Sequence, residues 1–259
     1  MLRKMSKFAA VACAVALMWV CASPALAQSE EKEKAPSYTY VAQWAIPRAD
    51  WAAYEKGNAA IKQVMDKLVS DGTLTGYGWF RNLVHAEGAP THGEWWTASS
   101  VANLMKALST VTASADSPEF AKVLAGSKHW DYILTSRHYN GHSGTFDNTY
   151  LRVSSFKAKS GEEETLERTL GSYVIPSLEK MLADGAIHSY SIDHEWVHTE
   201  DPANFWIVVV TNGADGLDKV NAALRAAGKA TPTGGPAFTS SVDYSAHRDF
   251  LSMTTAVYK

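Results

Sequence analysis

Cysteine is nearly absent from this chain. Only Cys13 and Cys21 occur in 259 residues, and both fall in an N-terminal segment that reads as a removable signal. The rest of the chain can form no disulfide, no thiolate metal site and no cysteine nucleophile. An apolar run of about 20 residues, long enough to span a bilayer, is also missing; Phe8–Val20 has 13. There is no basic cluster to hold nucleic acid or an anionic membrane surface, and acidic side chains outnumber basic ones by 27 to 24. A glycine-rich phosphate loop, a serine nucleophile elbow, a His-Glu-x-x-His motif and a zinc-ribbon spacing are lacking too. Composition and short motifs therefore name no reaction.

The N-terminus does carry a pattern. Arg3, Lys4 and Lys7 precede the apolar run, and Ala25-Leu26-Ala27 supplies the small residues that a signal peptidase reads. This predicts a secretory signal over residues 1–27, cleaved after Ala27, and a periplasmic or secreted protein with no membrane attachment once cut. Cleavage removes three of the 24 basic side chains and no acidic one, moving the formal charge from −3 to −6. Residues 28–37 are charged and lack a large apolar side chain, so they read as a flexible leader. The remainder is long enough to bury a sizeable core.

The remainder repeats itself. Lys67-x3-Asp71-Gly72-x4-Tyr77 returns as Lys180-x3-Asp184-Gly185-x4-Tyr190, an offset of 113, and Val84-His85 returns as Val197-His198 at the same offset. Trp95-Trp96 returns as Phe205-Trp206 at 110, and His129-x-Asp131 as His247-x-Asp249 at 118. Ordered matches at a nearly constant offset mark a duplicated and fused unit. The first copy is assigned to residues 38–139 and the second to 149–259, with a Gly/Asn/Ser-rich linker over 140–148.

Within each copy, hydrophobic periodicity predicts strand, helix, strand, strand, helix, strand. In the first copy Tyr38–Ile46 reads as a strand, and Asp50 caps a helix carrying Tyr54, Ile61, Met65 and Leu68. Leu74–His85 and Glu94–Ala98 read as strands, Val101–Leu108 as helical, Ser117-Pro118-Glu119 as a helix start, and Tyr132–Tyr139 as the last strand. The second copy follows suit, with an unbroken strand over 187–198, a helix kinked near Pro176 and a loop over Thr231–Pro236. This order is the split βαβ, or ferredoxin-like, unit. The fold class is α+β: two tandem ferredoxin-like βαββαβ repeats packed sheet to sheet as a barrel-like body.

On that element order and duplication the chain resembles the dimeric α/β-barrel superfamily in a fused two-repeat form. Its members include antibiotic-biosynthesis monooxygenases, EthD-like and NIPSNAP-like proteins, and the haem-containing chlorite dismutases. If there is a reaction, the resemblance implies cofactor-independent oxygenation or isomerisation by proton transfer. The small, flat, mostly apolar ligand expected between the sheets is read from the aromatic and histidine faces of the second strand of each copy. No subfamily's functional residues match position by position.

Duplication also offers an internal control, because what both halves keep serves the fold first. The His-x-Asp pairs belong to that class and read as imidazole–carboxylate contacts rather than acid–base dyads. The asymmetric feature is the second strand of each copy. His188, Tyr190, Ile192, His194, Trp196 and His198 share one parity, matched by Thr75, Tyr77, Trp79, Arg81, Leu83 and His85. As one cavity wall these faces make His194 or His198 the candidate base and Arg81 the oxyanion partner. Trp79 and Trp196 become stacking walls, with Tyr77, His85, His188 and Tyr190 as further ligand contacts. Among the tryptophans, Trp44, Trp79 and Trp95 are candidates for the interior. No metal site is expected, since His188 and His198 lie roughly 33 Å apart on a straight strand at about 3.3 Å per residue. No cofactor is expected either. Haem, which needs one histidine and a large apolar pocket, stays open as an alternative, as do a non-enzymatic envelope scaffold and a homo-oligomer formed through an outer edge.

Overall fold

β-Branched and aromatic residues at alternating positions build eight strands in the computed structural model, which describes residues 34–114, 117–198 and 204–259. The predicted signal and most of the leader lie outside the described residues. The strands are β1 (Ser37–Ala45), β2 (Gly76–Asn82), β3 (His92–Ala98), β4 (Lys128–Gly141), β5 (Gly144–Lys157), β6 (Ile187–Glu195), β7 (Asn204–Thr211) and β8 (Arg248–Tyr258). The helices are α1 (Trp51–Ser70), α2 (Val101–Ser114), α3 (Pro118–Ala125), α4 (Glu163–Thr169), α5 (Ile175–Ala183), α6 (Gly213–Ala230) and α7 (Gly234–Ser241). None of the described helices is long and apolar enough to cross a membrane.

The repeat is visible in the local devices. α1 and α5 both stop at Asp-Gly, with Gly72 and Gly185 in the left-handed region at φ 82° and 67°, where an L side chain would be strained. Tyr77 donates to Asp66 and Tyr190 to Glu179, each at 2.5 Å and each from a strand back to the preceding helix. His129 stacks on Trp44 and His247 on Phe156, with ring centroids 4.7 and 4.4 Å apart. Each imidazole lies 3.3 Å from its own Asp, Asp131 or Asp249. The pairs therefore clamp the last strand of each repeat to its first.

Each repeat lays its strands in the same order, β4-β1-β3-β2 and then β8-β5-β7-β6, and every neighbouring pair is antiparallel. The two sheets do more than face one another. β2 pairs with β8 and β4 with β6, so the edges join and the eight strands close into a barrel. Closure leaves no free edge among these strands, and edge-to-edge self-association is blocked. Outside the wall lie two helix-covered cores: Tyr54, Met65, Leu74, Tyr77, Trp96 and Leu104 in the first repeat, and Leu170, Ile175, Met181, Tyr190, Ile192 and Phe205 in the second. A third, smaller cluster of Phe80, Trp95, Leu151, Val210 and Ala256 belongs to the interior face.

Several local expectations are corrected. The loop expected over 140–148 shrinks to His142 and Ser143, because β4 and β5 both run into it. Those two residues carry the chain past β7 and β6 to the far side of the ring. Thr231–Pro236 is not all loop: α7 starts at Gly234, where Pro236 sits in the first turn and loses no hydrogen bond. Phe238 of α7 then packs edge-on against Phe156 at 5.0 Å. The kink near Pro176 is a stretch of wider π-type turn over Leu170–Val174 between α4 and α5. Asp50 stands at the start of α1 but makes no side-chain cap. β6 ends at Glu195, leaving Trp196, Val197 and His198 beyond the strand.

Candidate functional site

A closed eight-stranded wall has one inner face, and parity decides what occupies it. β2 sends Gly76, Gly78, Phe80 and Asn82 inward, and β3 sends Gly93, Trp95 and Thr97. The glycines matter because a Cβ on Gly78 would sit 2.7 Å from the Trp95 ring and 2.5 Å from the Thr255 carbonyl. Their absent side chains let Trp95 lie flat on the wall and stack on Tyr258 at 5.3 Å. What remains is a cavity of about 650 Å³ running along the barrel. Its walls are largely apolar, with Val41, Trp130, Tyr132, Leu151, Trp206 and Phe250 among the lining side chains.

Polar groups enter this cavity in pairs. Ser252 donates to Asn82 at 2.5 Å, Ser189 donates to the Tyr258 hydroxyl at 2.7 Å, and Thr39 meets Thr97 at 3.1 Å. Asp193 is the one carboxylate among the described lining residues. It is 4% exposed, accepts from Ser136 on one oxygen, and accepts from Ser191 on the other at 2.9 Å. Burial pushes its carboxyl up to about 6, although both serines pull the other way. Ser136 adjoins an irregularity in β4, where the pairing with β6 slips between Ser136 and His138. Such bulges commonly re-aim a side chain beside a site. The arrangement is a mainly aromatic and aliphatic chamber with one carboxylate among its described lining residues.

The predicted residues lie elsewhere, and this corrects the expectation that they wall the interior. Tyr77, Trp79 and Arg81 point outward from β2 toward the helices, as Tyr190 and His194 do from β6. Of that set only Tyr190 contributes to the cavity lining, and its hydroxyl is engaged by Glu179. His188 occupies a register slip at the start of β6 and stacks on Phe146 at 3.9 Å. His194 stacks on Phe205 at 5.8 Å, and burial lowers its pKa. His198 and His85 are exposed, and Trp196 is 46% exposed with its ring edge toward Tyr38. The three imidazoles of the second repeat do not converge. No group of three or more potential metal ligands occurs among the described residues. Trp95 alone of the three interior tryptophan candidates faces inward.

Sequence reasoning missed Asp193, Ser136, Phe80 and Tyr258. The signal was present. Asp193 and Glu195 occupy the parity opposite the histidine row, and Gly76 and Gly78 alternate with Tyr77 and Trp79. Glycine alternating with aromatics marks the face where something approaches the backbone closely.

Arg81, Trp79 and His85 do gather, but on the outer side with residues not anticipated. Arg81 Nη1 meets Glu55 at 3.0 Å, and the ring of Trp51 lies near both Arg81 and His92. His85 approaches Trp51 at 6.3 Å. Burial drives the His92 imidazole down to about 4, so it stays neutral near pH 7. Neighbouring Glu94 accepts from Trp79 Nε1 at 3.3 Å and is pushed up to about 7, chiefly by burial.

A haem iron would need an imidazole nitrogen free inside a roomy apolar pocket. Among described lining residues the only histidine is His142, at one end of the cavity with its Nε2 3.5 Å from the Leu182 carbonyl. These residues do not fit the group.

No protein-family model and no curated protein matches the chain. Solved structures do. A candidate monooxygenase from Lactobacillus acidophilus NCFM superposes with a TM-score of 0.62 at 11% identity, covering 87% of this chain and 97% of that one. A second, from Fusobacterium nucleatum, gives 0.59 at 8% identity over 87% and 95%. A chlorite dismutase from Candidatus Nitrospira defluvii is a looser likeness, 0.47 at 11% identity over 86% and 91%. At these identities the likeness is one of fold alone: α+β, with ferredoxin-like repeats joined as an eight-stranded barrel.

Proposed function

We propose, from the premise that this chain is a two-repeat dimeric α/β barrel, that it is an exported protein holding a small, flat, mostly apolar molecule inside the barrel. The observation that carries the reading is the cavity of about 650 Å³ with Asp193 as its one carboxylate among the described residues. Ligand sites typically combine an apolar enclosure with a few polar groups that fix orientation. Trp95, Trp130 and Trp206 supply flat faces for a ring system, and the Ser189–Tyr258 and Asn82–Ser252 pairs supply hydrogen-bonding groups.

Asp193 takes over the role first given to His194 and His198. A carboxylate with a pKa of about 6 is mostly ionised at pH 7.5, and its acid form lies close enough to neutrality to return a proton. It can accept a proton from an acidic C–H or O–H of the ligand, leaving the ligand anionic and itself a neutral acid. Return of that proton to a different carbon is an isomerisation. Addition of dioxygen to the carbanion forms a C–O bond and a peroxide anion that takes the proton back from Asp193. Loss of water from the hydroperoxide leaves a carbonyl, so one oxygen atom enters the ligand, the other leaves as water, and dioxygen is the co-substrate. The two candidate monooxygenases of the same fold favour the second class.

Binding is tested with naphthalene and 2-naphthol, followed by quenching of tryptophan emission. Val208→Phe and Val153→Phe each put a ring into the cavity, and both should weaken the two probes at least tenfold with an unchanged circular dichroism spectrum. Unaltered affinity in two folded variants refutes the interior site. A wild-type barrel that binds neither probe returns the scaffold alternative.

A further inference from the structure

The second repeat sends two charges into the barrel where the first repeat has aromatic rings. At the repeat offsets of 113 and 118 residues, Asp193 of β6 stands where β2 has Phe80, and Arg248 of β8 stands where β4 has Trp130. All four side chains line the cavity. The His-x-Asp clamp explains how the position of Arg248 is presented. His247 stacks on Phe156 at 4.4 Å, with its Nδ1 2.9 Å from the Ser155 carbonyl, and Asp249 accepts from Ser154 at 2.6 Å. Both lie on the outer face, so the residue between them turns inward. His129 and Asp131 present Trp130 in the same way, through Trp44 and Tyr40.

The two charges belong to one row of the wall. Arg248 pairs across the ladder with Ser155, Ser155 with Trp206, Trp206 with Asp193, and Asp193 with Ser136. Directly paired residues share a face of a sheet, and every member of this row lines the cavity. Three strand spacings separate Arg248 from Asp193, roughly 14 Å along the wall at about 4.8 Å each. The Trp206 ring lies between them, with the Tyr132 ring tilted beside it at 6.2 Å. A flat molecule laid on Trp206 therefore has a cation toward one end and a carboxylate toward the other.

Arg248 is oriented but not neutralised. Its Nη1 donates to the carbonyls of Ser245 and His247, at 2.9 and 2.7 Å, and no carboxylate among the described residues forms an ion pair with it. The adjacent Asp249 turns to the outer face, where it meets Arg152 at 3.6 Å and His247 at 3.3 Å. Nε and Nη2 of Arg248 keep the planar fork whose geometry suits a carboxylate. The charge of the cavity agrees with this. Acidic side chains outnumber basic ones in the chain by 27 to 24, yet the charged side chains among the described lining residues are Lys34, Arg248 and Lys259 against Asp193 alone. A lining of that sign draws anions into an otherwise acidic protein. Asp193 then sets the direction, because it repels an anionic group and accepts a hydrogen bond from a neutral donor.

We infer that the interior site selects a hydroxylated aromatic acid, a fused-ring anion whose carboxylate meets Arg248 while a hydroxyl at its far end meets Asp193. The inference rests on the interior-site reading and names the class of ligand that site takes.

The probe is 6-hydroxy-2-naphthoate, with 2-naphthol lacking the carboxylate and 2-naphthoate lacking the hydroxyl, each titrated calorimetrically at pH 7.5. The hydroxy acid should bind at least tenfold more tightly than either relative. Arg248→Met should remove its advantage over 2-naphthol, and Asp193→Ala its advantage over 2-naphthoate. Lys34→Met and Lys259→Met, at the opposite rim, should keep both advantages, and Val208→Phe should weaken all three compounds. Equal affinity of the wild type for the hydroxy acid and either relative would overturn the inference and leave the interior site standing. So would an advantage that survives Arg248→Met in a folded variant, or one lost with Lys34→Met or Lys259→Met instead. Failure of all three compounds to bind the wild type would remove the interior site itself, and the inference with it.

Discussion

The burial of Asp193 should be readable as a pH-dependent stability defect. Its carboxyl titrates near 3.8 when unfolded and at about 6 when folded, a difference of about two units. At roughly 1.4 kcal/mol per unit this is about 3 kcal/mol, an order-of-magnitude figure. The direction follows from which state binds the proton more tightly. Below about pH 3 the group is protonated whether folded or unfolded, and nothing is lost. As pH rises the unfolded chain releases its proton first, so the folded state is progressively disfavoured until the folded group has ionised, near pH 7. The partners Ser136 and Ser191 are neutral. Tyr258, the titratable neighbour, is pushed above its ordinary value by burial and stays neutral across this window. Asp193→Asn removes the carboxylate and keeps the size. Its stability relative to wild type should therefore improve by about 3 kcal/mol between pH 4 and pH 7.5, on top of a constant offset from the altered serine bonds. For a chain of this size that corresponds to roughly 6–12 °C of relative Tm. Thermal melts of both proteins by tryptophan emission, at half-unit steps from pH 3.5 to 8, give the difference curve. A flat difference curve would refute the claim that this carboxyl is buried without a compensating charge.

Two further outcomes are expected. Tyr77→Phe and Tyr190→Phe remove equivalent hydrogen bonds to Asp66 and Glu179, so each should cost about 1–3 kcal/mol, with similar values for the two; urea unfolding measures both, and a cost at one site alone would break the equivalence of the repeats. Protein recovered from a bacterial periplasm after expression with its own N-terminus should begin at Gln28 by intact mass, and retention of residues 1–27 would overturn the export reading.

Much of the architecture was legible because turn and stop positions leave few choices. Asp71-Gly72 and Asp184-Gly185 recur because a left-handed residue is needed to end each helix, and Tyr77 and Tyr190 recur because each binds the acid of that helix. The site was harder to read for a geometric reason. Period-two alternation says which residues share a face of β6, but not whether the face turns toward helices or toward the opposite sheet. Both sides of this wall are buried, so both carry aromatics. The histidine row looked like a cavity wall because polar and aromatic residues mix there. In the fold it is the helix-facing side, and Asp193 stands on the other.

Closure of the barrel has a bearing on chain order. β1 begins and β8 ends at the same rim, where Gly76 at the start of β2 pairs with Tyr258 and Ser37 at the start of β1 pairs with Ser136. The two joints between the repeats, β2 with β8 and β4 with β6, are made by backbone pairing and not by the connecting segment. The ring accordingly has no privileged starting point. A gene rearranged to begin at Gly144, with a short bridge from the end of β8 to the start of β1, would specify the same eight-stranded ring with its halves translated in reverse order.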